Sequence, residues 1–186
     1  GVDGWRLDVA NEVPNRFWQD WNRYVRQINP QAYTVAEFWS DAGDYLRDCG
    51  FSATMNYHGF AVPAKAFLFD QRVGATDFGI MLDQRMHEHP RDVRYGLQNL
   101  LDSHDTPRAA SMIVNGALDK KLDYINHENF DYDSSDRSSP RGFDQYDISA
   151  PNRKQIDILK LAALLQMTSV GAPMLYYGTE VGMHGG

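Results

Sequence analysis

The chain has 186 residues, 42% of them hydrophobic, with a formal net charge of −7 and an isoelectric point near 5.2. Such a chain has enough apolar mass for a packed core, and its acidic balance argues against a nucleic-acid partner, which needs a basic footprint. The lone Cys49 permits no internal disulfide, and the absence of any run of about 18 apolar residues argues against a membrane span.

The chain opens on a strand, GWRLDV, whose period-two alternation sets Arg6 and Asp8 on one face and Trp5, Leu7 and Val9 on the other. Pro14 suits the first turn of the helix that follows, in which Phe17, Trp18, Trp21, Val25 and Ile28 recur at helical spacing before Asn29-Pro30 ends it. Residues 33–38 read as the next strand, with Tyr33, Val35 and Glu37 on one face, and FSATMNY from Phe51 as a third. A helical pattern runs over residues 59–89, interrupted near Gly74, with Thr76 as the cap of its second half. Residues 97–101 form the fourth strand, and Thr106-Pro107 supplies a cap and a first-turn proline for a helix through Val114.

Alternation then breaks. From about residue 117 to 152 the chain is rich in Asp, Ser, Asn, Arg and Tyr and reads as a long loop insertion of the kind that usually carries function. Its aromatics, Tyr124, Phe130, Tyr132, Phe143 and Tyr146, are read as anchors of the loop before ligand-packing surfaces. A core helix with a stripe through Ile156, Leu159, Ala163 and Met167 precedes the last strand, PMLYY. Strands alternating with helices predict an α/β fold with a parallel sheet and no internal domain boundary.

Asp8, Glu37 and Asp105 each stand at the end of an apolar or strand-like run, the placement expected of a barrel enzyme with its acids at the carboxyl ends of parallel strands. Two carboxyl groups flanking a glycosidic bond are the minimal equipment for cleaving it, one donating a proton to the leaving oxygen and the other stabilising or attacking the sugar. Arg6 beside Asp8 orients the carboxylate, and the apolar flanks of Glu37, namely Val35, Phe38 and Trp39, suit a buried acid. Any single acid is more often a solvated surface group, so only the set of three carries the reading.

GWRLDVANEV, VAEFW, LLDSHDTPR and GAPMLYYGTEVGM, in that order, resemble the fourth-, fifth-, seventh- and eighth-strand motifs of the α-amylase family, glycoside hydrolase family thirteen. Asn11 and Glu12 resemble the variant carried by neopullulanases, cyclomaltodextrinases and maltogenic amylases. The resemblance implies the C-terminal half of a (β/α)8 barrel, strands four to eight, as a single partial catalytic domain over residues 1–186. It implies Asp8 as nucleophile, Glu37 as general acid and base, and Asp105 as the carboxylate that holds sugar hydroxyls. Arg6 and His104 join the site, Asn11 and Glu12 contact the leaving-group sugars, and Trp39 is balanced between a stacking wall and core packing. Phe38 stands where the family commonly has Ile, and Pro107 where Glu often follows SHDT; neither change removes a reacting group.

The activity so implied is a retaining α-glucan hydrolase of neopullulanase or cyclomaltodextrinase type, acting on α-1,4 and optionally α-1,6 bonds of oligo- or polysaccharides. A 4-α-glucanotransferase is the alternative, and an inactive glycan-binding subunit a more distant one, since such proteins typically lose an acid. A complete barrel needs about 250 residues, so the chain is expected to be a fragment, inactive and poorly stable in isolation. The chemistry requires no cofactor. The resemblance leaves room for a structural calcium ion in the upstream part and for a homodimer of the full-length protein. No metal set is read here: His87 and His89 are expected at a solvated helix end, and His58 carries no signal.

Overall fold

The computed structural model describes residues 1–116 and 144–185. Among the described residues five short strands, β1 (Gly4–Leu7), β2 (Tyr33–Ala36), β3 (Ala53–Thr54), β4 (Gln98–Leu100) and β5 (Ala172–Met174), alternate with helices. Every ladder is parallel: Gly4 pairs with Tyr33, Val35 with Ala53 and Gln98 with Ala172, while a parallel bridge from Met55 to Gln98 joins β3 to β4. The strand order therefore follows chain order, and the sheet is an open arc of a (β/α)8 barrel, as expected.

Helices α1 (Asn15–Ile28) and α2 (Gly43–Cys49) cover β1 and β2. Trp18, Leu46, Cys49 and Phe51 are buried there with Ala36, and Trp18 meets Phe17 and Trp21 edge to face. The buried Asn22 side chain donates to the Cys49 carbonyl, tying the two helices together at 2.9 Å. Gly50 ends α2 at φ 75°, the left-handed conformation that favours glycine. Pro14 lies one place before α1, where its φ of −56° suits the entry and its missing N–H costs nothing.

Past β3 comes a continuous helical stretch with π-type turns over Tyr57–Ala61 and Lys65–Phe69 around a short α3 (Val62–Ala64). Then follow α4 (Ala75–His87), α5 (Arg91–Arg94), α6 (Ala109–Val114) and α7 (Arg153–Thr168). The second core gathers Met55, Tyr57, Phe60, Phe69, Leu100, Met112, Ile113 and Ala162.

Several local expectations are corrected. Gly74 rather than Thr76 occupies the cap of α4, in extended backbone, because Thr76 already lies within the helix. Thr106 does not cap α6; the Ala109 N–H goes instead to the carboxylate of Asp102, at 2.8 Å, from the end of β4. On α7 the buried positions are Ala162 and Gln166, whereas Ile156 and Met167 of the expected stripe are exposed. The helix meets the five-stranded arc along one side only, and Gln166 is drawn inward because its amide donates to the Asn99 and Met174 carbonyls of β4 and β5, each at 2.9 Å. The start of α7 has a capping box, Asn152 with Gln155.

Most of the expected long loop, with Tyr124, Phe130, Tyr132 and Phe143, lies outside the described residues. Tyr146 is buried, and the neighbouring Asp147 exchanges two hydrogen bonds with the Asn115 side chain, so the returning chain is held to the end of α6. No described helix is long and apolar enough to cross a membrane.

His87 sits at an exposed helix end, but His89 is buried, contrary to expectation. It belongs to a cluster with His58, Glu88, Asp41 and Arg85, where the His58 imidazole meets Glu88 at 3.0 Å and Arg85 donates to the His58 carbonyl at 2.6 Å. Burial, and after it the Arg85 charge, hold the His58 imidazole down at about 4 against an ordinary 6.5. Between those two values the unfolded chain binds the proton that the folded chain refuses, so this contribution to stability is present above pH 6.5 and lost as pH falls towards 4. Glu88, raised by burial first and then by Asp41, has the opposite slope, so parent and variant must be compared. His58→Asn is expected to remove up to about 3 kcal/mol of the acid-side loss. Denaturant titrations of parent and variant from pH 7 to 4 check this, and parallel curves would contradict it.

Candidate active site

The three acids converge at the carboxyl ends of the parallel strands β1, β2 and β4. Asp8 directly follows β1, Glu37 directly follows β2, and Asp105 lies in the turn after β4. One guanidinium contacts all of them: Arg6 Nη1 is paired with Asp8 Oδ1, while its Nη2 lies 3.0 Å from Glu37 Oε1 and 3.8 Å from Asp105 Oδ2. Sharing Nη2 draws those Glu37 and Asp105 oxygens to one cation. The period-two reading of β1 explains the geometry, since Arg6 and Asp8 share a face while Trp5 turns away to meet Trp21 edge to face at 5.7 Å.

The acids differ in surroundings. The Asp8 side chain is 72% exposed and that of Glu37 only 7%, so one is open to an incoming molecule and the other is held in the wall. Glu37 accepts from the Val9 backbone N–H at 2.8 Å and from Trp39 Nε1 at 3.3 Å, in addition to its Arg6 contact. Its setting is thus more polar than the flanking Val35, Phe38 and Trp39 suggest. His104 Nε2 lies 3.1 Å from Asp105 Oδ2 and is half exposed. Trp39 is half-buried and stacks flat on Tyr57, with ring centroids 3.8 Å apart and planes at 7°.

Asn11 and Glu12 occupy a 3-10 turn, Ala10–Glu12, immediately beyond Asp8, and both are exposed. Neither caps α1, whose cap position is Pro14. That turn is anchored by Ala10, which is buried and whose carbonyl accepts from Trp18 Nε1 at 2.8 Å and from the Tyr45 hydroxyl. Arg108 lies over the Tyr176 and Tyr177 rings and donates to the Tyr177 carbonyl, joining the start of α6 to the segment after β5.

Four participants were not legible as such in the sequence. Val9 adopts φ 41° and ψ 48°, a left-handed conformation that costs a β-branched residue about 1–3 kcal/mol and aims its N–H at Glu37. Asp102, buried, accepts from Ala109 N–H and from the Thr179 hydroxyl at 2.8 and 2.9 Å. Burial pushes its carboxyl up from the ordinary range, and those donors work against the shift. Ser103 and Tyr57 share a hydrogen bond of 2.8 Å, and Ser103 Oγ accepts from the Asp105 N–H at 3.1 Å. Burial raises the Tyr57 phenol well above its ordinary value, so it keeps its proton. Only Asp102 offered a signal, as an acid ending an apolar run ahead of a helix.

Residues 1–131 match the family described as alpha amylase, catalytic domain. A cyclomaltodextrinase from Bacillus sp is 35% identical over all of this chain and 26% of its own length, and neopullulanase 2 from Thermoactinomyces vulgaris is 34% identical over all of the chain and 25% of its own. Among solved structures, a cyclomaltodextrinase superposes with a TM-score of 0.72 at 34% identity, covering the whole chain and 25% of that structure. The type III pullulan hydrolase from Thermococcus kodakarensis gives 0.78 at 25% identity, covering the whole chain and 27% of that structure. The chain spans about a quarter of the length of these curated relatives. With its parallel strands, its acids at their carboxyl ends and this match over most of its length, the chain belongs to the α-amylase catalytic-domain family.

Proposed function

We propose that this chain is the acid-bearing part of a retaining α-glucan hydrolase of neopullulanase or cyclomaltodextrinase type. The observation that carries the reading is the single Arg6 guanidinium in contact with Asp8, Glu37 and Asp105. In the first step Glu37, as the acid, gives its proton to the glycosidic oxygen; the bond from that oxygen to the anomeric carbon breaks, and a carboxylate oxygen of Asp8 bonds to the carbon. In the second step Glu37, now the base, takes a proton from water, whose oxygen attacks the same carbon and releases Asp8. The exposed nucleophile and the buried acid are suited to these parts. Asp105 and His104 hold hydroxyls of the sugar under attack, and Asn11 and Glu12, exposed beside Asp8, meet the sugars on the leaving side. Trp39 walls that side while its Nε1 steadies Glu37. This chemistry needs no metal or organic cofactor.

The names of the relatives support an α-glucan substrate, since they include a cyclomaltodextrinase and a neopullulanase. The full-length protein incubated with maltotriose is expected to yield maltose and glucose from the outset. Longer oligosaccharides dominating the early products would reject the hydrolase in favour of a 4-α-glucanotransferase working through the same acids.

A further inference from the structure

Between the strand that ends in Glu37 and the strand that leads to Asp105 lies β3, which contributes no acid. What it contributes, just past its end, is Tyr57, 1% exposed and so closed to any substrate. The two ends of this side chain face the two neighbouring acids. The Tyr57 ring is stacked on Trp39, whose Nε1 donates to Glu37 Oε1 at 3.3 Å. The Tyr57 hydroxyl is 2.8 Å from Ser103 Oγ, and that oxygen accepts the backbone N–H of Asp105 at 3.1 Å. The turn is closed by a second bond, from Ser103 N–H to Thr106 Oγ1 at 2.8 Å.

Tyr57 is itself held rigidly. It opens the first π-type turn, and the preceding Asn56 accepts from Gly59 N–H at 3.1 Å and donates to Asn99 Oδ1 at 2.8 Å. π-type turns are uncommon and concentrate at functional sites, where an extra residue re-aims a side chain. Buried polar groups connected in this way rigidify what they touch.

We infer that Tyr57 is a positioning residue that sets the separation of Glu37 and Asp105, its ring acting through Trp39 and its hydroxyl through Ser103. This rests on the glycosidase reading above and deepens it. The hydroxyl arm fixes the Asp105 turn, so its loss should act on the reacting complex more than on ground-state binding.

The test is made in the full-length protein with maltotriose, using Tyr57→Phe, which keeps the ring stack, Ser103→Ala, and the double variant. Tyr57→Phe is expected to lower kcat about tenfold while KM stays within about twofold, the signature of an interaction exerted in the transition state. Because both singles interrupt one hydrogen-bond path, the double variant should be no slower than the slower single. Unchanged kcat in Tyr57→Phe, or single effects that multiply in the double variant, would overturn the inference. A lowered Tm with unchanged kcat in the folded fraction would assign the residue to the core alone and would overturn it equally. A parent that fails to cleave glucans, or keeps cleaving after Asp8→Asn, would strike the underlying reading instead, so the two failures are distinguishable.

Discussion

Asp8→Asn in the full-length protein is expected to lower kcat on maltotriose by about 10⁴-fold or more, the scale on which removing a nucleophile disables an enzyme that depends on it. The change replaces one carboxylate oxygen by an amide nitrogen of similar size. The side chain is 72% exposed, so folding should be little disturbed. The amide still reaches the anomeric carbon but cannot form the ester through which hydrolysis passes. Time courses with equal amounts of folded parent and variant, matched by circular dichroism, check the effect. Glucan hydrolysis at the parent rate would remove Asp8 from the nucleophile's place and with it the retaining mechanism.

Arg6→Met should damage both stability and rate, for a reason readable in the geometry. The guanidinium lies between three carboxylates, and methionine keeps much of its length while removing the charge. Among the described residues, Glu37, with its side chain 7% exposed, would keep only neutral donors, Val9 N–H and Trp39 Nε1. Breaking a buried pair costs about 3–5 kcal/mol, and the 30% exposure of Arg6 together with the open position of Asp8 reduces the expectation to about 2 kcal/mol. The loss of kcat/KM should reach about 10²–10³-fold, because a preorganised charge is removed from the reacting centre. Arg6→Lys should recover part of the stability and less of the rate, since an ammonium cannot reproduce the planar fork that spans Asp8 and Glu37. Guanidinium titrations and steady-state kinetics on the three proteins check the order. Equal stability and rate across the series would show that the guanidinium is an onlooker.

The same arrangement shows how much of the site was legible in advance. Arg6 and Asp8 share a face because strand side chains alternate, and that follows from their spacing of two in the chain. The order of strands and helices was equally local, each helix written in repeats such as Trp18, Trp21 and Val25. The strands came out shorter than their apolar runs, because residues such as Phe38 and Leu101 have the composition of a strand but lie beyond its ladder. Caps were less reliable: Thr106 has the right chemistry for α6, but the first N–H of that helix goes to Asp102, two residues past β4.

Sequence alone therefore determined the alternating α/β pattern, the acids at the ends of their strands and the pairing of Arg6 with Asp8, because each is encoded within a few consecutive residues. The tertiary structure decided which acids meet over one guanidinium, the left-handed turn at Val9, the burial of His89, the inward face of α7 and the place of Tyr57 between Glu37 and Asp105. Those outcomes depend on which strands become neighbours. In a parallel sheet each neighbour is reached only after a helical crossover, so the contacts that complete the site join residues far apart in the chain, and no local pattern records them.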